Sequence, residues 1–146
     1  MENKQLSKNF SLHELTYSWT ANDRNIDNTP NEVILENLKK LCNDILQPIR
    51  NKYGKQIRIS SGFRCPELNY AVGGSKTSQH KTGEAADIQA VDGDNAALFQ
   101  LIKEMIDDEE IVVSQCIWEK GNKKQPAWIH IGHYAGRKKN QILYLY

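Results

Sequence analysis

Val33, Ile34, Leu38, Leu41, Ile45, Leu46 and Ile49 recur at three- and four-residue spacing, which is the apolar stripe of an amphipathic helix. Thr29-Pro30-Asn31-Glu32 ahead of it has the form of a capping box with proline at the first helical position. Pro48 is expected to kink or thin the last turn, and Gly54 to stop it. Ala97, Leu98, Leu101, Ile102 and Met105 repeat the helical period behind Asp94 as cap. Ser11-Leu12-His13-Glu14 caps a short helix through Leu15. Residues 18–28 are polar and aperiodic and read as loop. Pro66 opens a short helix over residues 67–71, ended by Gly73-Gly74.

Between these lie strand signals. Residues 56–60 alternate polar and apolar, and Ser61-Gly62-Phe63-Arg64 turns the chain after them. Residues 85–90 form the next strand. Residues 111–113 and 115–118 are rich in β-branched and aromatic residues. A polar turn over 119–125 then leads to a returning strand at 127–131, which predicts a hairpin. Residues 141–146 offer a last strand. The expected architecture is α+β: one domain over residues 1–146, with helices packed against a mostly antiparallel sheet.

The chain has 146 residues, long enough for a core, with ordinary apolar (39%) and charged (25%) fractions that exclude a disordered polymer. A formal net charge of +1 argues against a nucleic-acid partner. The charge is uneven, however. Residues 120–146 carry six Lys or Arg and no acid, whereas residues 84–110 are strongly acidic. Two solvated faces account for this, and so does a basic rim that touches an anionic polymer such as a cell wall. Cys42, Cys65 and Cys116 are odd in number and widely spaced, so reduced thiols are expected, with Cys42 and Cys116 in the core. No secretory signal and no membrane-span candidate is visible. The expectation is a monomer made in the cytoplasm, which something else must release if it acts outside.

The candidate chemistry sits in Ser78-Gln79-His80-Lys81-Thr82-Gly83-Glu84-Ala85-Ala86-Asp87. A catalytic zinc takes three protein ligands and leaves one position for water. His80 on a loop and Asp87 on the strand after it offer two. Gly83 permits a tight turn between them, and Ala85 and Ala86 leave room near the metal. Asp87 is a carboxylate inside an apolar strand, where it must be paired or metal-bound. The third ligand should come from Trp128-Ile129-His130-Ile131-Gly132-His133. Strand alternation puts Ile129 and Ile131 on the core side and leaves His130 on the open face with Trp128, which favours His130 over His133. Glu119, at the end of the strand before the hairpin turn, is the candidate base if its register matches, with Asp92 and Glu84 as weaker candidates. Arg64 is placed to fork onto a carboxylate or a developing oxyanion. Ser78 is placed to fix the His80 ring.

Ser78-x-His80-x-x-Gly83-x-Ala85-x-Asp87 resembles the signature of the D-alanyl-D-alanine carboxypeptidase family of zinc peptidases. That family comprises peptidoglycan carboxypeptidases and phage endolysin endopeptidases, and it shares its fold with the Hedgehog signalling domain. The likeness extends to Asn9-Phe10-Ser11, Ile26-Asp27-Asn28-Thr29-Pro30, Leu46-Gln47-Pro48-Ile49-Arg50, Ser61-Gly62-Phe63-Arg64, Leu68-Asn69 with Val72-Gly73-Gly74, Gln115-Cys116-Ile117-Trp118-Glu119 and Trp128-Ile129-His130. The resemblance implies one zinc ion on His80, Asp87 and His130, an arginine (here Arg64) that engages substrate or intermediate, and a peptidoglycan stem peptide as substrate. It also shows a departure. Many members carry the catalytic carboxylate three residues before the last histidine ligand, where this chain has Ala127. Either Glu119 serves from the facing strand, or the base is missing and the domain is a zinc-stabilised wall-binding or phage structural module.

Overall fold

The computed structural model describes residues 1–134, 136 and 139–146. Its centre is a five-stranded sheet of β1 (Ile57–Ser61), β2 (Ala85–Ala90), β3 (Val113–Glu119), β4 (Trp128–His133) and β5 (Gln141–Leu145). The spatial order is β1-β2-β4-β3-β5. All neighbours are antiparallel except β3 and β5, which run parallel. The chain leaves β4, passes β3 and adds β5 beyond it, so the final strand is an edge rather than the next leg of a meander.

The helices are α1 (Leu12–Thr16), α2 (Trp19–Asp23), α3 (Glu32–Leu41), α4 (Gln47–Tyr53), α5 (Pro66–Ala71) and α6 (Asn95–Asp107). Helices α3 and α4 are one rod joined by a π turn over Cys42–Leu46. Leu38, Leu41, Cys42, Ile45, Leu46 and Ile49 are all buried along it. They meet Leu98, Phe99 and Ile102 of α6 and the sheet residues Ala86, Ile88, Cys116, Trp118, Ile129 and Ile131 in one core. The expected effect of Pro48 takes the form of that π turn. The Gln47 N–H bonds back to the Cys42 carbonyl. The wider turn relieves the clash that a proline ring makes with the carbonyl four residues earlier.

Three expectations are corrected. Residues 18–28 contain a helix: the Ser18 hydroxyl accepts from the Ala21 N–H and caps α2, a local bond that a short aperiodic segment does not advertise. The cap of α3 is Asn31, whose side chain accepts from the Ile34 N–H. Thr29 instead closes a turn on Asp27, so Pro30 lies before the helix. Ala86 belongs to the core face of β2, not to the space around His80 and Asp87. The other caps hold, including the Ser11–Glu14 box and Asp94 on α6. Cys42, Cys65 and Cys116 are free thiols, with Cys42 and Cys116 buried. Burial pushes the Cys42 thiol up to about 12.

The opposite face of the sheet carries Asp87 and Gln89 of β2, Trp128 and His130 of β4, and Ile117 and Glu119 of β3, aligned by register. One ladder irregularity flanks this face on each side, at Ser60 in β1 and at Ser114 in β3. Bulges of this kind re-aim side chains beside functional sites. Gly62 closes the loop after β1 against α1, where an added Cβ would fall 2.3 Å from the Leu15 carbonyl oxygen.

That backbone contact leaves no flexible side chain to yield. Gly62→Ala is therefore expected to cost about 3 kcal/mol or more, whereas Gly54→Ala, at a left-handed cap in open space, should cost about 1 kcal/mol. Urea denaturation of the two variants measures the difference.

Candidate metal centre

His80 stands on a 3₁₀ turn (Gln79–Thr82) that lies across the ends of β2 and β4. Its N–H is accepted by the Ser78 hydroxyl at 3.2 Å. Its carbonyl accepts from the Arg64 N–H at 3.0 Å, so the turn and the Arg64 loop hold each other. The ring Nδ1 lies 2.7 Å from the Gly62 carbonyl oxygen. A carbonyl only accepts, so Nδ1 carries the proton, and in the neutral ring Nε2 presents a lone pair. That Nε2 faces Asp87 Oδ1 at 3.2 Å, and His130 Nδ1 faces the same oxygen at 3.0 Å.

Asp87 and His130 are direct partners across the β2–β4 ladder, which is why residues 43 apart converge. His80 is 2% exposed, Asp87 14% and His130 12% by side chain. The three ligand atoms lie within 4.8 Å of one another. Ligands about 2.1 Å from a tetrahedral ion sit about 3.4 Å apart, so the spacings of the two histidines to Asp87 suit such an ion. The donor set argues the same way. A bare imidazole nitrogen against a carboxylate oxygen is repulsive unless a cation, either a proton or a metal, lies between them. Two imidazoles and one carboxylate are the ligands of a borderline-soft divalent ion such as zinc. Burial alone would push the Asp87 carboxyl up, but with no metal and a proton on each facing ring nitrogen, hydrogen bonds from His130 and His80, and their charges, hold it well below the usual carboxylate range.

The cluster forms part of the floor of a cleft of about 910 Å³. Glu119 lines that cleft. Its register opposite Trp128 puts it on the His130 face, and its carbonyl accepts from the Ala127 N–H at 2.9 Å. A carboxylate on the strand adjacent to Ala127 therefore lines the cleft. Arg64 lines the same cleft, and its Nε is buried without a hydrogen-bond partner. Burial draws its guanidinium below the ordinary value, against the opposing pull of Asp87 and Glu119.

A family model described as peptidase M15 matches residues 8–132. The chain belongs to the peptidase M15 family. These are zinc peptidases of the D-Ala-D-Ala carboxypeptidase type, which places the protein among metallopeptidases acting on cell-wall peptides. A search of curated proteins returned no match. No helix among the described residues of this M15 member is long and apolar enough to cross a membrane.

The weaker candidates fall elsewhere. His133 pairs with Asp44 at 3.0 Å, on the helix side of β4. Asp92 is bonded by Tyr53 and Lys55. Glu84 accepts from the Thr82 hydroxyl and lines a separate small cavity beside His133.

Two supporting residues of the M15 site escape sequence reasoning. Gln79 is buried, donates to the His133 carbonyl and accepts from the Ser114 hydroxyl at 2.7 Å. It lies over Gly132, where a Cβ would fall 2.3 Å from both its Oε1 and the Ser114 hydroxyl. Asn28 is buried too. It donates to the Thr16 and Phe63 carbonyls and accepts from the Cys65 N–H, bracketing Arg64. Both lie within quoted motif stretches, but nothing local marks either as a side chain that bridges distant segments.

Asp87 also sets an acid sensitivity. Its folded pKa is depressed, so its stabilising contribution is complete above the unfolded value of about 3.9 and drains away as pH falls toward the folded one. Metal-free wild type should therefore lose urea stability more steeply than metal-free Asp87→Asn as pH is lowered below about 4. Urea midpoints of both proteins between roughly pH 5 and 2 check the sign.

Proposed function

We propose that the protein is a zinc-dependent peptidase that hydrolyses a peptide bond of peptidoglycan stem peptides, as a D-Ala-D-Ala carboxypeptidase or an endolysin-type endopeptidase. His80, Asp87 and His130 hold one zinc ion in this reading. The observation that carries it is the convergence of these three ligand atoms in a cleft that also contains the Glu119 carboxylate and the unpartnered Arg64 guanidinium. When bound, zinc supplies Lewis acidity, polarising a carbonyl and making a bound water acidic near neutral pH.

The chain's own groups do the rest. Glu119 takes the proton of the attacking water and returns it to the leaving amine. Arg64, half-buried and unspent on any protein carboxylate among the described residues, holds the substrate carboxylate or the developing oxyanion. The Gly62 carbonyl keeps the His80 ring in one tautomer, with Nε2 toward the cleft. The protein is read as a monomer made in the cytoplasm that reaches the wall after release of the phage type.

Ala127 favours a second reading, a non-catalytic zinc-stabilised module that binds the wall or belongs to a phage particle.

Purified protein loaded with zinc and incubated with stem peptides or sacculi tests both. The peptidase reading expects cleavage that falls at least about 10²-fold in kcat for Glu119→Gln with zinc retained, and about 10²-fold in kcat/KM for Arg64→Met. His130→Ala should lose stoichiometric zinc. Full zinc and wall binding without turnover would favour the second reading and sink the first.

A further inference from the structure

Lys120 stands one residue beyond Glu119, at the rim of the cleft, and lines it. Its backbone is left-handed, with φ of 56°, in a conformation that disfavours any residue with a Cβ. A glycine would take that position with less strain, and strain kept at a cleft is a reason to look for function. The conformation is pinned from outside the hairpin: the Lys120 N–H donates to the Leu145 carbonyl of β5 at 2.7 Å. The same strand lends the cleft Gln141, whose side chain accepts from Gln115 at 3.2 Å. Both β5 residues lie beyond the 8–132 stretch matched by the family model. Among the described residues the Lys120 ammonium makes no ion pair.

The sheet order places this group. The metal cluster rests on the central strands β2 and β4, the Arg64 loop follows β1 on one side, and Lys120 follows β3 on the other. At about 4.8 Å between neighbouring strands, β1 and β3 are roughly 14 Å apart. Lys120 also lies three residues beyond Ile117, the partner of His130, roughly 10 Å along the strands and toward the opposite end from the loop after β1, so a peptide laid diagonally over the sheet, with its scissile bond over the cluster, passes both cations. Arg64 can serve one carboxylate and Lys120 a second one, on the other side of the bond cut.

We propose that Lys120, presented by β5, is a specificity-determining residue that reads a second free carboxylate on the substrate peptide, away from the group held by Arg64. This rests on the peptidase reading for its substrate class.

The test uses two synthetic stem peptides, L-Ala-γ-D-Glu-L-Lys-D-Ala-D-Ala and its counterpart with the D-glutamate α-carboxylate amidated. Cleavage is measured, and binding is followed in parallel by tryptophan fluorescence, since Trp128 lines the cleft. Wild type should favour the free acid, mostly in KM, by about fivefold, the scale of one solvent-exposed charge pair. Lys120→Met and Lys120→Gly should lose that preference, and Lys120→Arg should keep it. Lys120→Gly accepts the left-handed backbone without strain, so its loss of preference cannot be ascribed to misfolding. A preference that survives in the Met and Gly variants, or its absence in wild type in both binding and cleavage, would overturn the proposal. If neither peptide is cleaved but binding shows the Lys120-dependent preference, the peptidase reading fails while the carboxylate reader stands.

Discussion

The hydrogen bond between the His80 ring and the Gly62 carbonyl joins the two loops from which the cleft is built. It selects the tautomer that turns the Nε2 lone pair toward Asp87, and so converts a buried ring into a candidate ligand. Gly62 can sit there because no side chain separates its backbone from the Leu15 carbonyl. The reciprocal bond from the Arg64 N–H to the His80 carbonyl closes the pair of loops. One glycine thus couples the α1 contact, the orientation of the ring and the place of the arginine.

The sheet supplies the other half of the site by register. Asp87 and His130 face each other because β2 and β4 are neighbours, although 42 residues lie between them in the chain. Glu119 shares their face because β3 pairs with β4 with Ile117 opposite His130. A slip of one residue would send Glu119 to the core side and turn Trp118 out in its place. The ladder irregularity at Ser114 keeps the register productive while turning that hydroxyl toward Gln79. Membership of the peptidase M15 family gives this geometry its chemical class, and β5 lies beyond the matched segment.

The long helix, the caps at Ser11 and Asp94, the hairpin and the strand at 85–90 were legible because each rests on local periodicity or on a bond spanning three residues. His80, Asp87 and His130 were legible through a spaced motif and strand alternation. What was misread also has local causes. Thr29 lost the cap to Asn31 because both are competent acceptors and only the path of the chain decides between them. Helix α2 is a single capped turn that packs beside α5. The π turn accommodates Pro48, which periodicity alone does not show.

The sequence by itself determined which residues could bind a metal, because the side-chain donors and their spacing along loop and strand are covalent facts. Only the tertiary structure decided that Glu119 looks into the same cleft as His130, that Asn28 and Gln79 hold the two loops, and that β5 returns parallel to β3 to pin Lys120. Each of these is a pairing between segments distant in the chain. Strand order and register arise from the joint burial of many apolar side chains, not from any residue's own preference.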